Sequence, residues 1–191
     1  MKARTPKLMA LSLVVLGLAG VMPSFLSEVG VQTEVQADTQ TLIRLDVAID
    51  CRTWRNNLGI SIEEMARGDS FIANGKIFRA GTLLPGTPGN DPNDPGSIGT
   101  WVERGTMAAT LQEILNGTRP AFFATWFHLL SDGGLVADGP HPDSGPMAVV
   151  GGTGGFSGAR GEISEVTIIG ENITGCPNMR LTINLEKQAP K

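Results

Sequence analysis

Several groups of side chains in this sequence have types and spacings that could do chemistry. The most conspicuous is the run Ala148 to Gly161, AVVGGTGGFSGARG, with glycines at 152, 155 and 158 after a short apolar stretch. That spacing suits a turn whose backbone amides approach a pyrophosphate, with a helix N-terminus completing the charge. Such a turn needs a helix directly after it and a βαβ unit around it. Here Gly161 is followed by Glu162-Ile163-Ser164-Glu165-Val166-Thr167-Ile168-Ile169. This is period-2 alternation ending in β-branched residues, and it predicts a strand. Too little chain remains beyond it to complete a parallel sheet. The glycines are therefore expected to serve a tight turn, a bulge or a close backbone crossing.

His128 is one of two histidines and shares a predicted strand face with Trp126 and Leu130. A histidine facing a barrel interior can act as acid or base near neutral pH. His141 lies in a Pro-His-Pro loop and is expected to be exposed. The two histidines lie far from any acidic cluster, so no metal site is expected. No Gly-x-Ser-x-Gly nucleophile elbow occurs. Asp46 and Asp50 share the polar face of the first predicted strand. At i and i+4 they stand about 13 Å apart, too far to share a proton, so one at most is a pocket acid, and Asp46 is preferred. Trp54, Trp101, Trp126, Phe122, Phe127 and Phe156 are the large apolar residues. Most should be core, with Trp126, Phe127 and Phe156 the candidates for lining a ligand pocket.

These groups need a scaffold, and composition constrains it. With 191 residues the chain is expected to form one domain preceded by a leader. Lys2, Arg4 and Lys7 precede an uncharged apolar run from Leu8 to Met22, short for a membrane span and suited to a signal-peptide core. Val35-Gln36-Ala37 supplies small residues at −3 and −1, so cleavage after Ala37 is expected; the alternative is an uncleaved anchor. Residues 1–37 are read as the signal peptide and 38–191 as the domain, exported to the periplasm or secreted. The formal charge is −4, and losing the leader removes more base than acid. Neither nucleic acid nor an anionic membrane surface is expected as a partner. Cys51 and Cys176 are the only cysteines, and export favours a disulfide between them over two buried thiols. Asn116-Gly117-Thr118 and Asn172-Ile173-Thr174 match glycosylation sequons.

The domain reads as all-β. Thr41 to Cys51 alternates, with Ile43, Leu45, Val47 and Ile49 on one face. Residues 60–67 suggest a helical turn with Ser61 as N-cap and Glu64 three residues on. Strands are predicted over 70–78 (with an Asn74-Gly75 turn signal inside), 99–109, 121–130, 135–137, 147–150, 162–169 and 179–186. Residues 110–115 are ambiguous between strand and helix. Residues 85–95, rich in proline, and 140–146 read as loops. This many short strands between turn signals predicts a closed barrel or a sandwich.

Three stretches carry a family resemblance. Gly68-Asp69-Ser70-Phe71 with Lys76-Ile77-Phe78, and Phe123 to Gly134 with Asp138-Gly139-Pro140, resemble segments of the allene oxide cyclase and dirigent barrel superfamily. Met147 to Gly161 looks like the dirigent signature "VVGGTGxFxxARG", the most specific of the three. The likeness spans about residues 41–187. It implies an eight-stranded antiparallel closed barrel, often a homotrimer, with a mostly apolar cavity and no metal or organic cofactor. It implies a small hydrophobic ligand or substrate and either isomerase activity of the cyclase type or non-catalytic stereochemical guidance of dirigent type. Both work by holding a reactive molecule in one conformation. Arg160 matches the family's Ala-Arg-Gly arginine, which borders the cavity and could hold a carboxylate or a developing oxyanion. The family also tends to place an acid of the first strand in the cavity, which favours Asp46. Arg160, Asp46 and His128 are thus the catalytic candidates. The chain departs from the family in having no tyrosine, and in lacking the cyclase cysteine in its 99–109 strand.

Overall fold

A computed structural model describes residues 34–36, 40–56, 58–86, 91–141 and 145–186. The apolar run 8–22 and the cleavage point after Ala37 lie outside the described residues. The strands are β1 (Glu34–Gln36), β2 (Gln40–Asn56), β3 (Ser70–Arg79), β4 (Gly99–Met107), β5 (Phe122–Leu130), β6 (Gly133–Pro140), β7 (Met147–Gly152), β8 (Gly161–Glu171) and β9 (Pro177–Glu186). They pair in chain order, each antiparallel to the next. β9 returns to β2, from Gln40↔Glu186 to Ala48↔Asn178. Strands β2 to β9 therefore close an eight-stranded cylinder, which decides between barrel and sandwich and leaves the ladder without long free edges. The short β1 pairs with the first residues of β2, on the side that β3 leaves open.

Alternation along each strand fills the lumen. Leu45, Val47, Ile77, Trp101, Trp126, Leu135, Met147, Ile163, Leu181 and Ile183 are almost completely buried in one cluster. Burying side chains of this size contributes about 1.5–3 kcal/mol each. A second, smaller cluster lies outside the cylinder. There Ala48, Phe78, Leu83 and Ile168 pack beneath the turn that follows β3.

Two local readings resolve with clear causes. The Asn74-Gly75 pair makes no turn, because β3 runs straight through it. A Cβ on Gly75 would stand 2.6 Å from the Ala48 carbonyl and 3.2 Å from the Trp101 ring, so the glycine permits close strand contact. The ambiguous 110–115 segment holds the helix α1 (Leu111–Leu115). Thr110 caps it, and the Glu113 carboxylate accepts from the Thr110 amide at 2.9 Å. The expected turn at 60–67 is a short 3-10 turn, Ile62–Glu64, in which Glu64 accepts from the Ser61 amide at 3.0 Å.

Cys51 and Cys176 form the expected disulfide, linking β2 to the turn between β8 and β9. Beside it Asn172 is buried, with its amide nitrogen donating to the Ile49 carbonyl at 2.8 Å and to Asn178 at 3.1 Å. Its sequon therefore presents no free side chain in the folded chain.

Candidate functional site

The glycine run belongs to the barrel and holds no helix docked for phosphate. β7 ends at Gly152, a 3-10 turn spans Gly154–Phe156, and β8 starts at Gly161. The turn is fastened to the β5–β6 hairpin. Thr153 donates to the Gly134 carbonyl and Gly155 to the Asp132 carbonyl, each at 2.8 Å. Gly154 sits at φ +57°, where a Cβ would also strike the Asp132 carbonyl at 2.3 Å. These glycines serve a close backbone crossing. The crossing carries Phe156 over one mouth of the cylinder.

That mouth holds a cavity of about 450 Å³. Ile43, Leu45, Ile98, Leu130 and Phe156 form its apolar wall, and Arg79 and Asp132 stand among its polar lining residues. A neighbouring cavity of about 330 Å³ shares Thr41, Ile43 and Phe156 with it. Phe156 thus divides the opening. Arg79 has no ion-pair partner among the described residues, so its guanidinium remains available to an anionic group.

The three catalytic candidates do not converge on this opening. Asp46 is fully buried, but on the outside of the cylinder, beneath the turn after β3. Its carboxylate accepts from Arg180 Nε at 2.8 Å, Arg180 Nη2 at 3.2 Å, and the amides of Gly81 at 2.8 Å and Leu83 at 3.1 Å. The polar face of β2 was expected to meet the cavity; alternation instead turns Leu45 and Val47 inward and Asp46 outward, where it fastens a turn. Arg160 is exposed, and its Nη1 donates back to the Ala159 carbonyl at 2.8 Å. It reaches neither Glu162 nor Asp46, and it lines neither cavity. Asp50 is held by Arg52 through two side-chain hydrogen bonds of 2.7 and 2.9 Å.

His128 does face the lumen and is fully buried, with its ring centroid 6.1 Å from that of Trp126. Neither ring nitrogen makes a well-formed hydrogen bond. Burial holds the imidazole down to about 4, against a smaller opposing pull from the Leu135 backbone across the ladder. At neutral pH it is therefore uncharged, and it does not line the mouth cavity.

Of the three pocket candidates, Phe156 lines the opening. Trp126 is core, packed edge-to-face on Trp101 at 5.4 Å. Phe127 lies on the outer wall, opposite Val102 and Val136, because period-2 alternation sends residue 126 inward and 127 outward.

The polar chemistry of the lumen lies elsewhere and was not anticipated from sequence. Glu103, on the inward face of β4, is 5% exposed and accepts a 2.8 Å hydrogen bond from Trp126 Nε1. Burial pushes its carboxyl up to about 8; the Trp126 bond opposes this and the nearby Glu165 carboxylate adds to it. Glu165 in turn lies 3.7 Å from His141 Nε2. His141 was expected in an exposed loop, yet its ring packs against Phe122, tilted by 56° with centroids 4.3 Å apart, and only 18% of its side chain is exposed. Glu103 lies on β4, Glu165 on β8 and His141 directly after β6, and Glu165 links the other two, acting on the Glu103 charge and facing His141. A proton on Glu103, beside a second carboxylate and an imidazole, is an acid–base arrangement. The indole N–H groups of Trp54 and Trp101 are buried and find no acceptor among the described residues. Among the described residues, no group of three or more His, Cys, Asp and Glu side chains could hold a metal ion.

No family model and no curated protein matches the sequence. Solved structures do match. Two pterocarpan synthase dirigent proteins, GePTS1 and PsPTS1, superpose with TM-scores of 0.53 and 0.54, each at 14% identity. These alignments cover 78% and 81% of this chain and 91% and 99% of theirs. A pyocyanin demethylase aligns with a TM-score of 0.49 at 18% identity, over 75% of this chain and 98% of that one. At such identities the likeness to the dirigent proteins is one of fold. The chain is an antiparallel barrel of the kind its motifs resemble, and nothing in the likeness singles out the allene oxide cyclases.

Proposed function

We propose that this barrel binds a small, largely apolar molecule in the mouth beneath Phe156. The observation that supports the reading is the cavity of about 450 Å³ with an apolar wall and, among its lining residues, Arg79, which has no ion-pair partner among the described residues. A molecule with an apolar body and one acidic group would satisfy both. Holding such a molecule in one conformation is the work of a guide or binding protein, and it needs no group to react. Native mass spectrometry of protein purified from its source tests this. A co-purifying apolar molecule, absent from an Ile98→Trp variant that fills the mouth, is the expected result. A ligand-free spectrum for the wild type, together with no saturable binding of apolar acids, would overturn it.

A second reading, an isomerase or cyclase of the allene oxide cyclase type, draws its support from Glu103. A carboxyl that keeps its proton until about pH 8, next to a second carboxylate, can give one proton and take another back. That is the balance an isomerisation requires. In this reading Glu103, Glu165 and His141 replace Arg160, Asp46 and His128 as the reacting groups.

The Cys51–Cys176 disulfide fits an oxidising compartment, and we read the protein as exported. Leu129 and Val150 are 53% and 45% exposed, with Phe127 and Val136 on the same outer wall. We assign this face to contact with further copies of the chain, as the expected homotrimer requires.

A further inference from the structure

We propose that the outer wall of the barrel carries a second binding site, for an acidic sugar, on the face formed by β2, β3 and β4. A cleft of about 550 Å³ lies there. Register builds it. Arg55, Ile72 and Arg104 are successive cross-strand partners, and Thr125 continues the row on β5. Ser70 and Thr106 form the next row, with their hydroxyl oxygens 3.4 Å apart. Two guanidiniums therefore flank one aliphatic side chain, with three hydroxyls beside them.

The charges are unmatched. No carboxylate lines the cleft, although the chain carries 19 acidic residues against 15 basic ones. Arg104 makes no ion pair or side-chain hydrogen bond among the described residues. Arg55 is already pinned, since its Nη1 donates to the carbonyls of Arg52 at 2.8 Å and Trp54 at 2.6 Å. A pinned guanidinium loses little further freedom on binding an oxyanion and leaves its remaining N–H groups to donate. The nearest carboxylate across the ladder is Asp138 on β6, which accepts from Thr125 Oγ1 at 2.8 Å. It confines an anion to the β2–β4 half of the cleft.

The lining suits a saccharide better than a bare ion. Two strand spacings, about 10 Å, separate the backbones that carry the arginines, room for a sugar ring between their side chains. Ile72, 39% exposed, offers an apolar floor to the C–H face of such a ring. Ser70, Thr106 and Thr125 offer hydroxyls to its hydroxyls. The acid group then takes the guanidiniums.

The test is an amide NMR titration of the disulfide-bonded protein with glucuronate, glucose and inorganic sulfate. Glucuronate is expected to shift the amides of Ile72, Gly105 and Thr106 saturably. Its affinity should fall at least tenfold in Arg104→Gln and in Arg55→Gln, and should weaken with added sodium chloride. Both arginines are exposed, and unchanged spectra elsewhere would verify that the variants fold. Glucose should leave these amides in place. Equal responses to glucose and glucuronate, unchanged affinity in both arginine variants, or saturable binding of sulfate but not glucuronate would each overturn the proposal. An Ile98→Trp variant, blocked at the mouth, should bind glucuronate as the wild type does, which keeps this site separate from the apolar one.

Discussion

Inside the barrel, Trp126 Nε1 donates a 2.8 Å hydrogen bond to Glu103 Oε1, and both side chains are cut off from solvent. A carboxylate there would be costly, so the proton stays on Glu103 until about pH 8. The unfolded chain releases it near the ordinary glutamate value. Between those two values the native state holds the extra proton, and stability falls as pH rises. His128 acts in the opposite sense. Its folded imidazole is held down to about 4, so its contribution is intact above the ordinary histidine value and is lost as pH falls below it. Between about pH 6.5 and 8 Glu103 dominates, and the wild type should lose about 2 kcal/mol across that span. Glu103→Gln, which keeps an acceptor for Trp126, should flatten this slope. Urea unfolding at pH 6.5, 7 and 8 measures both, and a level wild-type curve would contradict the buried proton.

Asp46→Ala should destabilise the fold by about 3 kcal/mol, since it strands Arg180 and two amides at once. Arg160→Ala should leave stability nearly unchanged, because among the described residues its guanidinium bonds only to the neighbouring carbonyl. Denaturant midpoints of the two variants provide the comparison. An Asp46→Ala midpoint equal to wild type would refute the fastening role.

Phe156 separates the two cavities at the mouth, so Phe156→Ala should join them and admit a longer apolar molecule. Fluorescence titration with saturated fatty acids of increasing length, displacing a bound naphthalene sulfonate dye, reads the change. The longest acid accepted should increase in the variant, whereas Ile98→Trp should weaken dye binding at least tenfold.

The disulfide spans a sequence separation of 125 residues. Restricting so long a loop in the unfolded chain is worth about 5 kcal/mol in the chain-entropy description. A Cys51→Ala, Cys176→Ala double variant should therefore melt well below the wild type, and reduction of the wild type should lower its melting temperature to match.

If the chain self-associates as proposed, Leu129→Glu should leave single chains, because it places a charge on the exposed apolar wall. Light scattering on wild type and variant would decide the matter, and a monomeric wild type would remove the reason for that assignment.

The strands were legible in the sequence because alternation fixes them and which side chains share a face, whereas the barrel rather than a sandwich came from the family resemblance. Alternation made β2 an in–out strand and correctly opposed Leu45 to Asp46. Alternation could not say which face the lumen would claim for polar groups. Asp46 looked like a cavity acid only while the turn after β3 was unassigned; once Gly81 and Leu83 close over it, its polar face becomes a second interior. Phe127 was misassigned for a simpler reason, since residues 126 and 127 cannot both point inward. Glu103 left one usable signal, its position two residues from Trp101 in an alternating strand. The inward face there reads Trp101, Glu103, Gly105, Met107, and a glutamate in that series was the clue. His141 left none, because its burial depends on Phe122 from a different strand.

The pairing of Gln40 with Glu186 brings the first and last residues of the cylinder together at the rim beneath Phe156. β9 ends at that rim, whereas at the amino end β1 doubles back along β2 and sets Glu34 opposite Leu42. A fusion partner attached directly after β9 would crowd the entrance and leave the opposite end of the cylinder clear.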